Sequence, residues 1–123
     1  MNPTRVLLVD DDYLCNLDLY ETLHDSGFQV EAVYCGITAL AAIRRDPPWA
    51  LVTDVDLGPG PDGFAVARGA RAARPEAAVV FISGHEGARF PDEGVAGSEF
   101  VAKPYKGEQI IAALRRAAHL EAA

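Results

Sequence analysis

The sequence has no apolar run that approaches the roughly 20 residues needed to cross a bilayer, and its N-terminus offers no signal peptide. We therefore expect a cytoplasmic protein without a membrane partner. Cysteine is scarce: Cys15 and Cys35 are interpreted as buried cytosolic thiols, with a disulfide as the less favoured alternative. Basic residues are few, with 11 Lys and Arg against 18 Asp and Glu and a net charge of -7. This balance disfavours direct binding to nucleic acid, since basic residues supply most non-specific affinity for phosphates.

What the chain does contain is a regular alternation of short apolar runs and helical patterns. Strands are predicted at 5–9, 28–34, 49–53, 78–82 and 99–102. Helices are predicted at 13–25, 36–45, 63–74 and 107–120, and the glycines and proline within 84–98 predict a short or broken fourth helix there. Strict alternation implies one α/β domain over residues 1–123, with a parallel sheet, right-handed crossovers and helices on both faces.

Four of the apolar runs end in residues that carry a charge or a hydroxyl. These residues are Asp10 and Asp11 after the first run, Asp54 after the third, Ser83 after the fourth and Lys103 after the fifth. In an open α/β sheet, ligands bind in the crevice outside the carboxyl ends of the strands. The pattern therefore predicts one pocket that binds a divalent metal and a phosphoryl group. An acidic residue at a strand end can also simply cap the next helix, and Asp12 is predicted to do so.

With these residues the chain resembles the receiver domain of two-component response regulators over essentially its whole length. The matching elements are Val9-Asp10-Asp11, Asp54 followed by a Pro/Gly loop and Asp62-Gly63, Ser83-Gly84, and Lys103-Pro104 followed by Tyr105. The resemblance implies a flavodoxin-like, doubly wound, five-stranded parallel sheet in the order 2-1-3-4-5. It also implies a cis peptide bond before Pro104 and a signalling phosphoacceptor rather than an enzyme.

The resemblance assigns roles to the acidic residues. Asp54 matches the phosphoacceptor, which forms an acyl phosphate and also contacts the metal. Asp11 matches the direct ligand of Mg²⁺, Asp10 assists it, and Asp56 matches the position that ligates through its backbone carbonyl.

The remaining site residues act on the phosphoryl group and on the signal. Lys103 matches the ammonium that pairs with a phosphoryl oxygen, and Ser83 matches the hydroxyl that hydrogen-bonds another. Ser83 and Phe100 match the two switch positions, although Phe100 stands where a tyrosine is usual. Asp56 and His85 occupy positions that tune hydrolysis of the acyl phosphate.

Two further features follow from the comparison with the family pattern. The spacing from Asp54 to Asp62 is one residue longer than usual, so the loop at 58–61 is expected to bulge without disturbing the site.

Because the last helix ends the chain, the expected protein is a single-domain regulator with no output domain. It would receive phosphate from a histidine kinase or phosphotransfer protein, with Leu14 as a candidate docking contact, and act on a downstream protein. A small phosphohydrolase with an aspartyl nucleophile and a degenerate receiver that only binds partners are the alternatives.

Overall fold

The computed structural model describes residues 5–84 and 94–119, and its five strands form one parallel sheet in the order β2-β1-β3-β4-β5. The strands are β1 (Arg5–Val9), β2 (Gln29–Val33), β3 (Ala50–Asp54), β4 (Ala78–Ser83) and β5 (Glu99–Ala102). The helices of the described ranges are α1 (Tyr13–Asp25), α2 (Gly36–Arg45), α3 (Gly63–Ala73) and α4 (Gly107–Ala117). The expected strand order is confirmed. The predicted short or broken helix within 84–98 falls largely on residues 85–93, outside the described residues.

The central strands are buried on both faces, which explains their nearly continuous apolar sequences. In β1, Val6 and Leu8 face the layer that contains α1 and α4, whereas Leu7 and Val9 face the layer that contains α2 and α3. This alternation is the period of two expected of a strand. The doubly wound architecture places helices over both sheet faces. None of the helices in the described part of the chain combines the length and apolarity that a membrane crossing requires.

The burial of the two cysteines differs from the sequence interpretation. Cys15 is exposed and Cys35 is only partly buried, so the expectation of buried thiols is wrong, and both cysteines are free. The residues that α1 buries are Asn16, Leu19 and Leu23, which follow the three- and four-residue spacing of one helix face. Cys15 lies about 100° from Asn16 around the helix axis, because each helical residue turns by this angle, and it falls at the exposed border of that face.

The long loop between β3 and α3 lies against the start of α2. Gly58 and Gly60 adopt φ angles of 74° and 98°, which only glycine reaches readily. Beyond them, the backbone of Pro61 approaches Gly36 so closely that a Cβ atom there would overlap it. The extra residue of this loop is thus accommodated beside α2.

Candidate functional site

The register of the sheet brings the polar ends of four strands to one edge. Thr53 pairs with both Val9 and Phe81, and the following pair is Asp54 with Ile82. Ser83 at the end of β4 pairs with Ala102 at the end of β5. The resulting cleft has a volume of about 440 Å³. It is lined by Asp11, Asp12, Asp54, Asp56, Ser83, Gly84 and Lys103.

Asp54 and Lys103 form an ion pair at the centre of this edge. The Lys103 Nζ donates to Asp54 Oδ2 at 2.8 Å, although 49 residues separate the two in sequence. The backbone holds Lys103 in place, because its N–H donates to the Ser83 carbonyl at 3.0 Å. The Lys103–Pro104 peptide bond is cis, as the family resemblance implied.

Burial shapes the electrostatics of this pair. Burial raises the pKa of the Asp54 carboxyl, the Lys103 ammonium opposes that rise, and the charge of Asp11 adds to it. For Lys103, burial lowers the pKa, but the hydrogen bond to Asp54 and its negative charge outweigh burial and give a net upward shift. Lys103 therefore remains a cation at neutral pH, within hydrogen-bond distance of the Asp54 carboxylate.

Two further carboxylates converge on the Asp54 side of the ion pair. Oxygen atoms of Asp10, Asp11 and Asp54 lie within 4.8 Å of one another. Asp10 is 1% exposed, and its Oδ1 accepts the Asp12 N–H at 2.9 Å. Its buried Oδ2 has no hydrogen-bond partner among the described residues. Burial, only partly offset by the Asp12 N–H, raises the pKa of Asp10 to about 6, and the charge of Asp54 contributes to the rise.

The donor set of this cluster fits Mg²⁺. Like charges this close repel one another, and a buried carboxylate oxygen without a partner is costly. A hard divalent cation with oxygen ligands would offset both costs at once. Asp10, Asp11 and Asp54 offer carboxylate oxygens, and Asp56 lies exposed on the same cleft with its Oδ1 bonded to the Gly58 N–H at 3.2 Å.

The other predicted site residues are placed as follows. Ser83 is buried and lines the cleft. Phe100 is partly buried in β5 and packs against the layer of α2 and α3. His85 lies outside the described residues. The predicted cap of α1 is present, because Asp12 Oδ1 accepts from Cys15 N at 3.1 Å, and Asp62 caps α3 in the same way, its Oδ1 accepting from Ala65 N at 2.9 Å.

The sequence assigned no role to three residues that support the site. Thr53 Oγ1 donates to the Asp54 carbonyl at 2.8 Å, and the Gly63 N–H donates to the Val55 carbonyl at 2.8 Å. Asn16 is buried beneath residues 10–12, the acidic turn that follows β1, and its side chain bonds to the Asp10 carbonyl. The sequence does contain a hint of this role, because Asn16 is a polar residue at the three-residue spacing that places it on the same helix face as the apolar Leu19.

Replacing Asp10 with Asn should stabilise the protein in the absence of divalent cations. The amide keeps an acceptor for Asp12 N–H and removes a buried charge, so we expect the free energy of unfolding at pH 7 to rise by about 1–3 kcal/mol. Because the pKa of Asp10 is raised from 3.8 to about 6 in the folded protein, wild-type stability falls as pH rises through that window. The difference between variant and wild type should therefore shrink from pH 7 towards pH 4.

Urea unfolding in EDTA at both pH values measures this effect. Asp18→Asn is the matched control, since Asp18 is exposed on α1 and its replacement should change stability by less than about 0.5 kcal/mol. An Asp10→Asn protein that is less stable than wild type at pH 7 would contradict the electrostatic interpretation.

A parallel sheet in the order 2-1-3-4-5 with an acidic cleft at its carboxyl edge is typical of receiver-type signalling domains. A model of the response regulator receiver domain family matches residues 6–115, and the chain belongs to this family. Receiver domains of two-component systems accept phosphoryl groups from histidine kinases and bind Mg²⁺ at an acidic pocket.

Individual relatives agree with this assignment. The response regulator MprA of Mycobacterium avium (strain 104) is 32% identical over 116 residues, which are 90% of this chain and 49% of that protein. The C4-dicarboxylate transport transcriptional regulatory protein DctD of Rhizobium meliloti (strain 1021) is 28% identical over 114 residues, 91% of this chain and 25% of that protein. The chain thus spans about half of one relative and a quarter of the other.

Among solved structures, the crystal structure of a response regulator receiver protein from Sinorhizobium medicae WSM419 superimposes with a TM-score of 0.91. The two chains are 35% identical, and the match covers 94% of each. The similarity therefore extends over nearly the whole of a receiver protein of comparable size.

Proposed function

We propose that this chain accepts a phosphoryl group on Asp54 from a histidine kinase or a phosphotransfer protein, in a reaction that requires Mg²⁺, and signals to a protein partner. The observation that carries the proposal is the 2.8 Å ion pair between Lys103 and Asp54, beside the acidic cluster and inside one cleft. The proposed setting is the cytoplasm, and the proposed regulator acts as a single domain.

The chemistry is a phosphoryl transfer between two anionic groups. A carboxylate oxygen of Asp54 forms a bond to phosphorus while the bond from phosphorus to the donor nitrogen breaks, and that nitrogen leaves with its electron pair. Two unit charges about 4 Å apart repel by roughly 4 kcal/mol at an effective dielectric of 20. Bound Mg²⁺ would supply positive charge against this repulsion. Asp11 would be its direct ligand with Asp10 assisting, and the Asp54 carboxylate and the Asp56 backbone carbonyl would also hold it.

Lys103 and Ser83 act on the oxygens of the transferred group. The Lys103 ammonium is held beside Asp54 before the donor arrives, so it stabilises charge in the transition state without reorganisation. The Ser83 hydroxyl, at the end of the neighbouring strand, donates to a second phosphoryl oxygen.

The signal is a shift between two conformations. When Ser83 moves towards the phosphoryl group, Phe100 turns inward from the edge strand β5. Phe100 has no hydroxyl to form a hydrogen bond in either rotamer, so its two positions differ by packing alone. On the input side, Leu14 is 73% exposed at the start of α1, close to the acidic turn, and is the proposed contact for the phosphodonor.

An assay of turnover separates a switch from the alternative phosphohydrolase. The protein is incubated with acetyl phosphate and Mg²⁺ while bound phosphoryl group and released phosphate are both followed. The proposal expects one equivalent bound per chain and release limited by slow decay of the acyl phosphate. Sustained release of many equivalents of phosphate per chain, faster than the acyl phosphate decays, would favour an enzyme. No phosphorylation at all would favour a degenerate receiver.

The same assay tests the residues proposed to tune hydrolysis. Asp56 lies exposed on the cleft, and its charge is proposed to affect the water that attacks the acyl phosphate. His85 is proposed to orient or repel that water. A lifetime of the phosphorylated state that is unchanged in both Asp56→Ala and His85→Ala would reject these roles.

A further inference from the structure

Asn16 is the buried polar residue of α1, at 1% exposure, and it lies directly beneath the acidic turn. Its side-chain Nδ2 donates two hydrogen bonds, one to the Asp10 carbonyl and one to the Val33 carbonyl, both at 3.0 Å. Asp10 follows β1 and Val33 ends β2, so one amide joins the ends of two neighbouring strands to the first helix.

The bond to Asp10 closes a network that fixes the acidic turn. The Asp12 N–H donates to Asp10 Oδ1 at 2.9 Å, and the Asp12 carbonyl accepts the Asn16 backbone N–H at 2.9 Å. The direct backbone bond between the strand ends, from Asp10 N to Val33 O, is long at 3.3 Å. The amide of Asn16 therefore supplies the shorter of the contacts that hold the Asp10 backbone at this position.

The orientation of the amide is set by its surroundings. An amide nitrogen offers two donors, and both are used on carbonyl oxygens, whereas the reverse orientation would place Oδ1 against those same carbonyls. The Asn16 Oδ1 itself is buried without a hydrogen-bond partner in the described part of the chain. An apolar side chain of the same size would avoid this buried acceptor, so the two donors are the feature that an amide adds here.

We infer that Asn16 is a positioning residue for the cation site: by clamping the Asp10 carbonyl, it holds the carboxylates of Asp10 and Asp11 towards Asp54. This inference rests on the proposed function, because it concerns the same Mg²⁺ site. Groups behind metal ligands that fix their orientation typically change metal affinity by 10- to 100-fold when they are removed.

The test is Mg²⁺ binding to the unphosphorylated protein, measured by isothermal titration calorimetry. Asn16→Leu keeps the branching of the side chain at Cγ, although it is bulkier, and removes both donors; we expect its Mg²⁺ affinity to fall at least about tenfold. Asn16→Ser keeps one donor on a shorter side chain that cannot reach both carbonyls, and its affinity should lie between those of Asn16→Leu and wild type. If Asn16→Leu does not fold, Asn16→Ser alone decides the matter.

A second readout separates positioning from chemistry. At saturating Mg²⁺ the rate of phosphorylation by acetyl phosphate should return to within about threefold of wild type, while the Mg²⁺ concentration for half-maximal rate stays raised. Leu23→Val is the structural control, since Leu23 is buried on the same face of α1. It should lower stability in urea and leave Mg²⁺ affinity within about twofold of wild type.

The inference is overturned if every Asn16 variant that folds binds Mg²⁺ within twofold of wild type, or if Leu23→Val weakens binding as much as they do. A wild-type protein that binds no Mg²⁺ at millimolar concentrations would overturn the proposed metal dependence and this inference together. Wild-type binding with no effect of Asn16 would overturn this inference alone.

Discussion

Lys103→Met is expected to slow phosphorylation of the chain by about 100- to 1000-fold at saturating Mg²⁺, the loss typical when one preorganised electrostatic donor is removed. Methionine keeps a long unbranched side chain and removes the ammonium that lies 2.8 Å from Asp54. The site then lacks a fixed positive charge for the phosphoryl oxygens. Initial rates with acetyl phosphate, read by intact mass, measure the effect.

The chain offers a matched control for this substitution. Lys106 is the second of its two lysines, three residues further along, and it is exposed. Lys106→Met makes the same chemical change outside the cleft and should leave the rate within about twofold of wild type. A Lys103→Met rate within threefold of wild type would show that this ammonium does not act on the reaction.

The second large effect is structural and is expected at Gly63. A Cβ atom on Gly63 would overlap the Asp54 carbonyl and stand 2.8 Å from the Val55 Cα, so the start of α3 would have to move away from the end of β3, where Asp54 lies. Overpacking against rigid backbone typically costs about 1–3 kcal/mol or more. We expect Gly63→Ala to lower the free energy of unfolding, measured in urea, by at least about 1 kcal/mol.

Gly69 in the same helix is the control for this effect. A Cβ atom there would meet the end of the Leu40 side chain, at 2.6 Å from its Cδ2, and this side chain can rotate away. Alanine in a helix interior is also favoured over glycine by about 0.5–1 kcal/mol. Gly69→Ala should therefore change stability by less than about 1 kcal/mol. Equal losses in the two variants would contradict the argument from close approach at Gly63.

Much of the fold could be predicted from sequence because the three central strands, β1, β3 and β4, are buried on both faces. Continuous apolar runs placed β1 at its observed bounds and β3 within one residue of them. The predicted second strand began one residue early. Phe28 is an aromatic residue of the kind that strands favour, but its N–H donates to the Leu23 carbonyl near the end of α1. Alternation with helices then implied the parallel sheet, while its strand order came from the resemblance to receivers.

The meeting of distant polar groups at one edge could also be predicted, since the carboxyl ends of parallel strands share that edge. The roles of these residues remain predictions. What sequence could not supply was the exact direction of a helix face. Cys15 and Asn16 are neighbours of similar size, and the structure turns Asn16 inward with Leu19 and Leu23 while Cys15 is exposed. The close approach at Gly63 likewise depends on packing between elements, which no local pattern records.

The most direct test of the central claim is the intact mass of the protein after incubation with acetyl phosphate, with Mg²⁺ and with EDTA. We predict a gain of one phosphoryl group by the wild type in Mg²⁺, none in EDTA and none in Asp54→Asn under either condition. Asp56→Asn, a change to the exposed aspartate two residues away, should still gain the group. Phosphorylation of Asp54→Asn to the wild-type extent, or an equal gain in EDTA, would contradict the account.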